Sequence, residues 1–204
     1  MNGLNNKTDC ADDFLILADL YKLPTREIWN EMKEQDLLKR LEASIKDHYN
    51  IALSLEEVLP ENYAEFQELY RNSIGSTQTA AALPIESLYK PWTQDETCTL
   101  PFARDKGYVL GDSALHINYL LEKLKIEIPV ELQSMPDHLA ILLELLAYFI
   151  EHAPEHFIAE YMDDHFDWLD EFESQLSAAT EHLFYQRLTR LLIGTVKAYR
   201  TNYL

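Results

Sequence analysis

The sequence predicts an all-α protein. Apolar residues recur at three- and four-residue spacing along most of the chain, alternating β-type runs bounded by turn signals are scarce, and there are only five glycines. Phe14, Leu17, Ala18 and Tyr21 share one helical face; Leu37, Leu38, Leu41, Ile45 and Tyr49 share another. Ser54-Leu55-Glu56-Glu57 has capping-box spacing and predicts a helix start. Pro60 allows a second start, ahead of the stripe Tyr63, Phe66, Leu69 and Tyr70. Residues 72–84, small and polar, predict the first break, and residues 91–111, with Pro101, Gly107 and Gly111, a second irregular stretch. Asp112-Ser113 then caps a helix with apolar positions Leu115, Tyr119, Leu120 and Leu124. Residues 129–136 form the third break. Helices are expected over 137–152, 154–178 and 180–199, with Pro154 in a first turn, where its missing N–H costs nothing. No internal repeat is evident.

A chain of 204 residues can bury a sizeable core, in one domain or two small lobes. With 17 Lys and Arg against 35 Asp and Glu the net charge is −18. That argues against a nucleic-acid partner, which needs a basic footprint, and equally against an anionic membrane surface. The acid is concentrated: residues 126–186 contain no Lys or Arg, whereas Arg187, Arg190, Lys197 and Arg200 follow without an acid. Two compatible readings stand. The acidic stretch is a solvated face beside a basic last helix that packs back on it, or it attracts a basic peptide.

The first twelve residues are polar, so no signal peptide is expected. The longest apolar stretch, 139–150, contains Glu144 and falls short of the ~20 residues a membrane span needs, so no membrane insertion is expected. Cys10 and Cys98, without a C-x-x-C, suggest neither a disulfide framework nor a zinc site, but a reduced cytoplasmic protein.

Asp137 and His138 lead the candidates for chemistry. At a helix start the Asp137 carboxylate caps free N–H groups and meets the positive end of the dipole. His138 either bonds a loop carbonyl or faces a cleft and a bound peptide. Tyr89 and Trp92, in a proline-punctuated segment, either pack a junction or line an apolar groove; aromatic anchors suit peptide recognition. Trp168 and Phe172, at i and i+4, fit a C-terminal core. His152 and His156 are the best metal pair by spacing, but Pro154 between them breaks the helix, so no metal is expected. Neither a phosphate-binding glycine loop nor a nucleophile elbow is present.

Five segments in order resemble the TorD/DmsD/NarJ family of redox-enzyme chaperones. Pro136-Asp137-His138 is similar to the family's Glu-x-Pro-Asp-His run, with Ser134 in place of Glu. Pro84, Ser87 and Tyr89 followed by Trp92 resemble its P-x-x-S-x-Y segment, residues 107–121 the helix before its hinge, Trp168-Leu169 to Phe172 its W-L-x-x-F element, and Phe184-Tyr185 to Leu192 its closing F-Y-x-x-L helix. The resemblance implies a two-lobed helical bundle, with an N-terminal lobe of about residues 1–128, a hinge near 129–137 and a C-terminal lobe of about 138–204. It also implies a cytoplasmic chaperone that is not an enzyme and holds no cofactor. Such a protein binds the catalytic subunit of a molybdopterin oxidoreductase of anaerobic respiration, through its twin-arginine signal peptide, before cofactor insertion and export. Ser87, Tyr89, Trp92, Pro136, Asp137 and His138 are the implied client-binding residues. A hinged bundle is compatible with a monomer or a domain-swapped dimer. Two alternatives are a helical adaptor for another folded partner and an all-α enzyme using Asp137 and His138 as an acid–base pair.

Overall fold

The computed structural model describes residues 2–75 and 82–204, with side chains from Lys7 onward. Among them are nine α-helices: α1 (Asn2–Tyr21), α2 (Arg26–Glu34), α3 (Leu37–Tyr49), α4 (Tyr63–Tyr70), α5 (Asp112–Leu124), α6 (Leu139–His152), α7 (Glu155–His165), α8 (Leu169–Ala179) and α9 (Leu183–Tyr203). The all-α expectation is met: among the described residues the only β-type pairing is one isolated antiparallel bridge, between Ile85 and His138.

Helix ends follow local chemistry. Thr25 Oγ1 accepts from Ile28 N–H at 3.2 Å to start α2, and Asn62 Oδ1 accepts from Glu65 N–H at 3.1 Å to start α4. Asn50 closes α3 at φ +57°, the left-handed conformation that Asn tolerates. The capping-box spacing at Ser54 yields only a 3₁₀ turn, Glu56–Val58, because Pro60 forces Leu59 into extended backbone. The expected break at 72–84 lies partly outside the described residues; Arg71–Gly75 extend α4 by a π-helical turn.

The helix expected over 154–178 is two helices. Phe166 and Trp168 are both buried, and residues two apart on a helix lie on nearly opposite faces, so burying both requires a break. Trp168 Nε1 secures it by donating to the His165 carbonyl at 2.8 Å. On α5 the buried face is Ala114, Ile117, Leu120 and Leu121, whereas Leu115 and Tyr119, expected in the apolar stripe, are 60% and 55% exposed.

One apolar core runs from Cys10 to Tyr199. At its centre α6 is apolar on nearly every face, with ten of its fourteen residues buried, as a helix wrapped by others must be. The most extensive helix packing is α1 along α6; α3 lies on α1 and α9, α7 on α6 and α9, and α8 on α9. Each fully buried Phe or Leu here, such as Phe14 or Leu17, contributes about 1.5–3 kcal/mol. Tyr21, deep in this core, donates to Thr189 Oγ1 at 2.9 Å, while Thr189 donates to the Tyr185 carbonyl at 2.8 Å. The basic α9 packs back on the acidic stretch: Arg190 pairs with Glu173, Lys197 with Asp170 and Arg200 with Asp163, each at 2.8–2.9 Å.

Candidate functional site

Asp137 and His138 stitch two distant parts of the chain together. The Asp137 carboxylate is fully buried and accepts from Ser87 N–H at 2.7 Å, and its carbonyl accepts from Glu86 N–H at 3.1 Å. Leu139 N–H donates to the Pro84 carbonyl at 2.8 Å. Asp137 therefore caps the 3₁₀ turn Glu86–Leu88 rather than the helix that follows it in sequence. The cap of α6 is His138, whose Nδ1 accepts from Ala140 N–H at 3.2 Å. Burial pushes the His138 pKa down to about 4, so the ring is neutral near neutral pH. Burial raises the pKa of Asp137, opposed by the Ser87 hydrogen bonds.

The remaining candidates complete this clamp. Pro136, Ser87 and Tyr89 are buried. Tyr89 stacks on Trp168 with centroids 5.0 Å apart, meets Phe172 edge-on and donates its hydroxyl to the Leu83 carbonyl at 2.9 Å. Trp92 is half-buried against Phe102. Trp168 and Phe172 lie in the core. The spacing pair His152 and His156 is split between α6 and α7, and the described residues contain no group of three or more His, Cys, Asp or Glu placed to hold a metal ion.

The same 3₁₀ turn carries an ionic network that the sequence did not announce. Glu86, fully buried, accepts through Oε2 from Nδ1 of His165 at 2.8 Å, and its Oε1 lies 2.9 Å from Lys90 Nζ. Lys90 also reaches Asp167 at 2.7 Å and donates to the Asp164 carbonyl, closing the end of α7. Burial disfavours its charge, but Glu86 and Asp167 outweigh burial and raise its pKa. Nε2 of His165 lies 2.9 Å from Nδ1 of His116 on α5, with the rings stacked at 5.0 Å. The one cue in the sequence was the i, i+4 spacing of Glu86 and Lys90; the histidines, 49 residues apart, give no local signal.

These groups floor a cleft between α5 and α7. Lys90 and His165 form the base, Asp112 and His116 line the α5 side, and Asp163 and Asp164 line the α7 side. The two aspartates occupy the last turn of α7, the negative end of its dipole, where carboxylates are unfavourable. Beside the cleft-lining residues, on the exposed side of α5, stand Leu115 and Tyr119. Tyr108, Val109 and Leu110 precede them, each 44–45% exposed, with Leu110 at φ +61°, a conformation rare for a non-glycine residue. An anionic recess and a bare apolar surface thus share one helix.

A family model described as nitrate reductase delta subunit matches residues 33–185, a span that holds every cleft and clamp residue named above. The probable Tat proofreading chaperone DmsD of Haemophilus influenzae is 28% identical over 163 residues, covering 78% of this chain and 70% of that protein. No solved structure matches the chain significantly.

Proposed function

The chain belongs to the nitrate reductase delta subunit family, and from that premise we propose that it is a cytoplasmic proofreading chaperone for a molybdopterin-containing oxidoreductase, which it holds by a twin-arginine signal peptide. The likeness to a Tat proofreading chaperone supports this reading. The observation that carries it is α5. One side of the helix borders the acidic cleft and the neighbouring side exposes Leu115 and Tyr119, so a peptide with a basic start and an apolar middle finds charge and greasy surface in the same order. No helix among the described residues is long and apolar enough to cross a membrane.

In this reading Pro136, Asp137, His138, Ser87 and Tyr89 position the cleft rather than touch the client, and Trp92 supports its rim. Residues 129–137 serve as the compliant connection, and loosening there gives access to an opened form or a swapped dimer. Turnover has no place in it: both ring and carboxylate of the Asp137–His138 pair are buried, and His138 Nδ1 is committed to a backbone N–H.

The test is capture of bound polypeptides by the tagged protein from anaerobically grown host cells. Recovery of a molybdoenzyme catalytic subunit, lost with Leu115→Lys and with Asp164→Lys, is the expected result. Association should also slow between low salt and physiological salt, where the Debye length is about 8 Å. No such subunit recovered from cells that are making one would overturn the reading.

A further inference from the structure

Three titratable side chains form an unbroken line from the core to the cleft. Glu86 is fully buried; His165, 2% exposed, donates Nδ1–H to it at 2.8 Å; His116, exposed on its other side, meets His165 at 2.9 Å. This contact ties α5 to α7 across the cleft.

The hydrogens can be counted. With Nδ1–H of His165 committed to Glu86, a single hydrogen fits between the facing ring nitrogens. When both rings are neutral, His116 donates Nδ1–H to the bare Nε2 of His165. One added proton goes to Nε2 of His116, on the exposed side, and leaves the contact whole. A second has only Nε2 of His165 to go to, and it sets two N–H groups and two positive charges face to face. The contact survives one proton and is broken by two.

The surroundings set where this happens. His165 faces Glu86 from the 3₁₀ turn, Tyr161 on its own helix and His116 from α5; Lys90 and Asp137 stand behind Glu86. His116 faces His165 and Asp164 from α7, with Asp112 on its own helix and Lys90, Asp163 and Asp167 around the cleft. Burial, then the charge of His165, lowers the pKa of His116, while Asp164 and Glu86 oppose the shift.

We infer that the His116–His165 pair, anchored on Glu86, is a proton-operated clasp between α5 and α7 that controls how tightly the acidic cleft holds a cationic peptide. The inference rests on the peptide-binding reading above. Closed, the clasp fixes the two cleft walls, and with no added proton it presents uncharged rings to the ligand. Doubly protonated, it parts the walls and repels a guanidinium. By linkage, a bound cation in turn disfavours protonation, so binding releases a proton and weakens in acid.

Two measurements test it together. The first is an NMR titration of the imidazoles in the free protein, wild type and His116→Gln, from about pH 8 to 5. The second is the affinity of a synthetic peptide, two arginines followed by an apolar run, over the same range. In the wild type the ring signals of the pair should change together in two coupled steps, and His116→Gln should abolish that coupling. Peptide affinity should fall about tenfold for each pKa unit by which binding displaces the linked proton, and His116→Gln should flatten that profile. Rings that titrate independently, or a profile that is the same in His116→Gln, sink the clasp alone. A peptide that binds at no pH sinks the peptide reading, and with it the clasp's role in binding.

Discussion

Glu86 and Ser87 are neighbours on one short turn, yet they serve two regions built on opposite terms. The clamp around Ser87 and Asp137 is closed: its hydrogen bonds run between backbone and buried side chain, and solvent reaches almost none of it. The cleft around Glu86, His116 and Asp164 is open, with carboxylates at the wrong end of a helix dipole and apolar side chains left bare. The clamp stabilises the fold, and the cleft gives up stability that a ligand can restore. The motif residues that stand out in the sequence belong to the first kind, and the surface proposed to meet a partner belongs to the second.

Substitutions can break or sharpen this contrast. The largest loss is expected at the junction. Glu86→Ala leaves the buried His165 Nδ1–H without its acceptor and takes from Lys90 its buried carboxylate, leaving Asp167, and should cost about 3–5 kcal/mol in urea unfolding. Asp137→Ala leaves the Ser87 N–H buried without an acceptor and should cost about 1–3 kcal/mol. For Asp137→Ala, client capture should decline only as the folded fraction declines. Leu115→Ser should change stability by about 0.5 kcal/mol or less while capture drops sharply. Asp164→Asn should leave stability unchanged or raise the Tm slightly, because it removes a charge the α7 dipole disfavours, and it too should weaken capture. If Asp137→Ala abolished capture at full folding, or if Leu115→Ser left it intact, the division between clamp and cleft would collapse.

The clamp has its own acid sensitivity. His138 has a pKa of about 4 when folded, below the ~6.5 of a free histidine, so between these values the unfolded chain binds more protons. Stability should therefore fall as pH drops from ~6.5 toward 4, by on the order of a few kcal/mol, and this component should level off below that. Asp137 has the opposite sign: burial raises its folded pKa, a cost that acid relieves. Melting temperature measured against pH for wild type and His138→Gln isolates the histidine's share, and equal slopes in the two proteins would remove it.

Helical periodicity made α1, α3, α6 and α9 legible because their apolar spacing is local. The clamp was legible as a motif but not as a device, since the partner of Asp137 is a backbone N–H fifty positions earlier, and a helix-start aspartate looks like the cap of its own helix. The split between α7 and α8 carries no Gly or Pro and follows only from the demand to bury both Phe166 and Trp168. Leu115 and Tyr119 fit a helical stripe by spacing, and only the packing of Ala114 and Ile117 shows that the stripe's buried edge lies elsewhere. The Glu86, His116 and His165 network joins three elements through single contacts, a pattern no window of sequence contains.

The packing of α1 along α6 has a consequence for synthesis. Phe14, Leu17 and Tyr21 emerge from the ribosome long before α6, the main partner of their helix, and the hydroxyl of Tyr21 waits for Thr189, 168 positions later. Contacts so distant in sequence close late and slowly, and until they do the nascent chain displays its own apolar helix. A protein proposed to shelter another polypeptide thus spends its own synthesis in need of shelter, and a chain stopped short of α6 is left with the apolar face of α1 toward water.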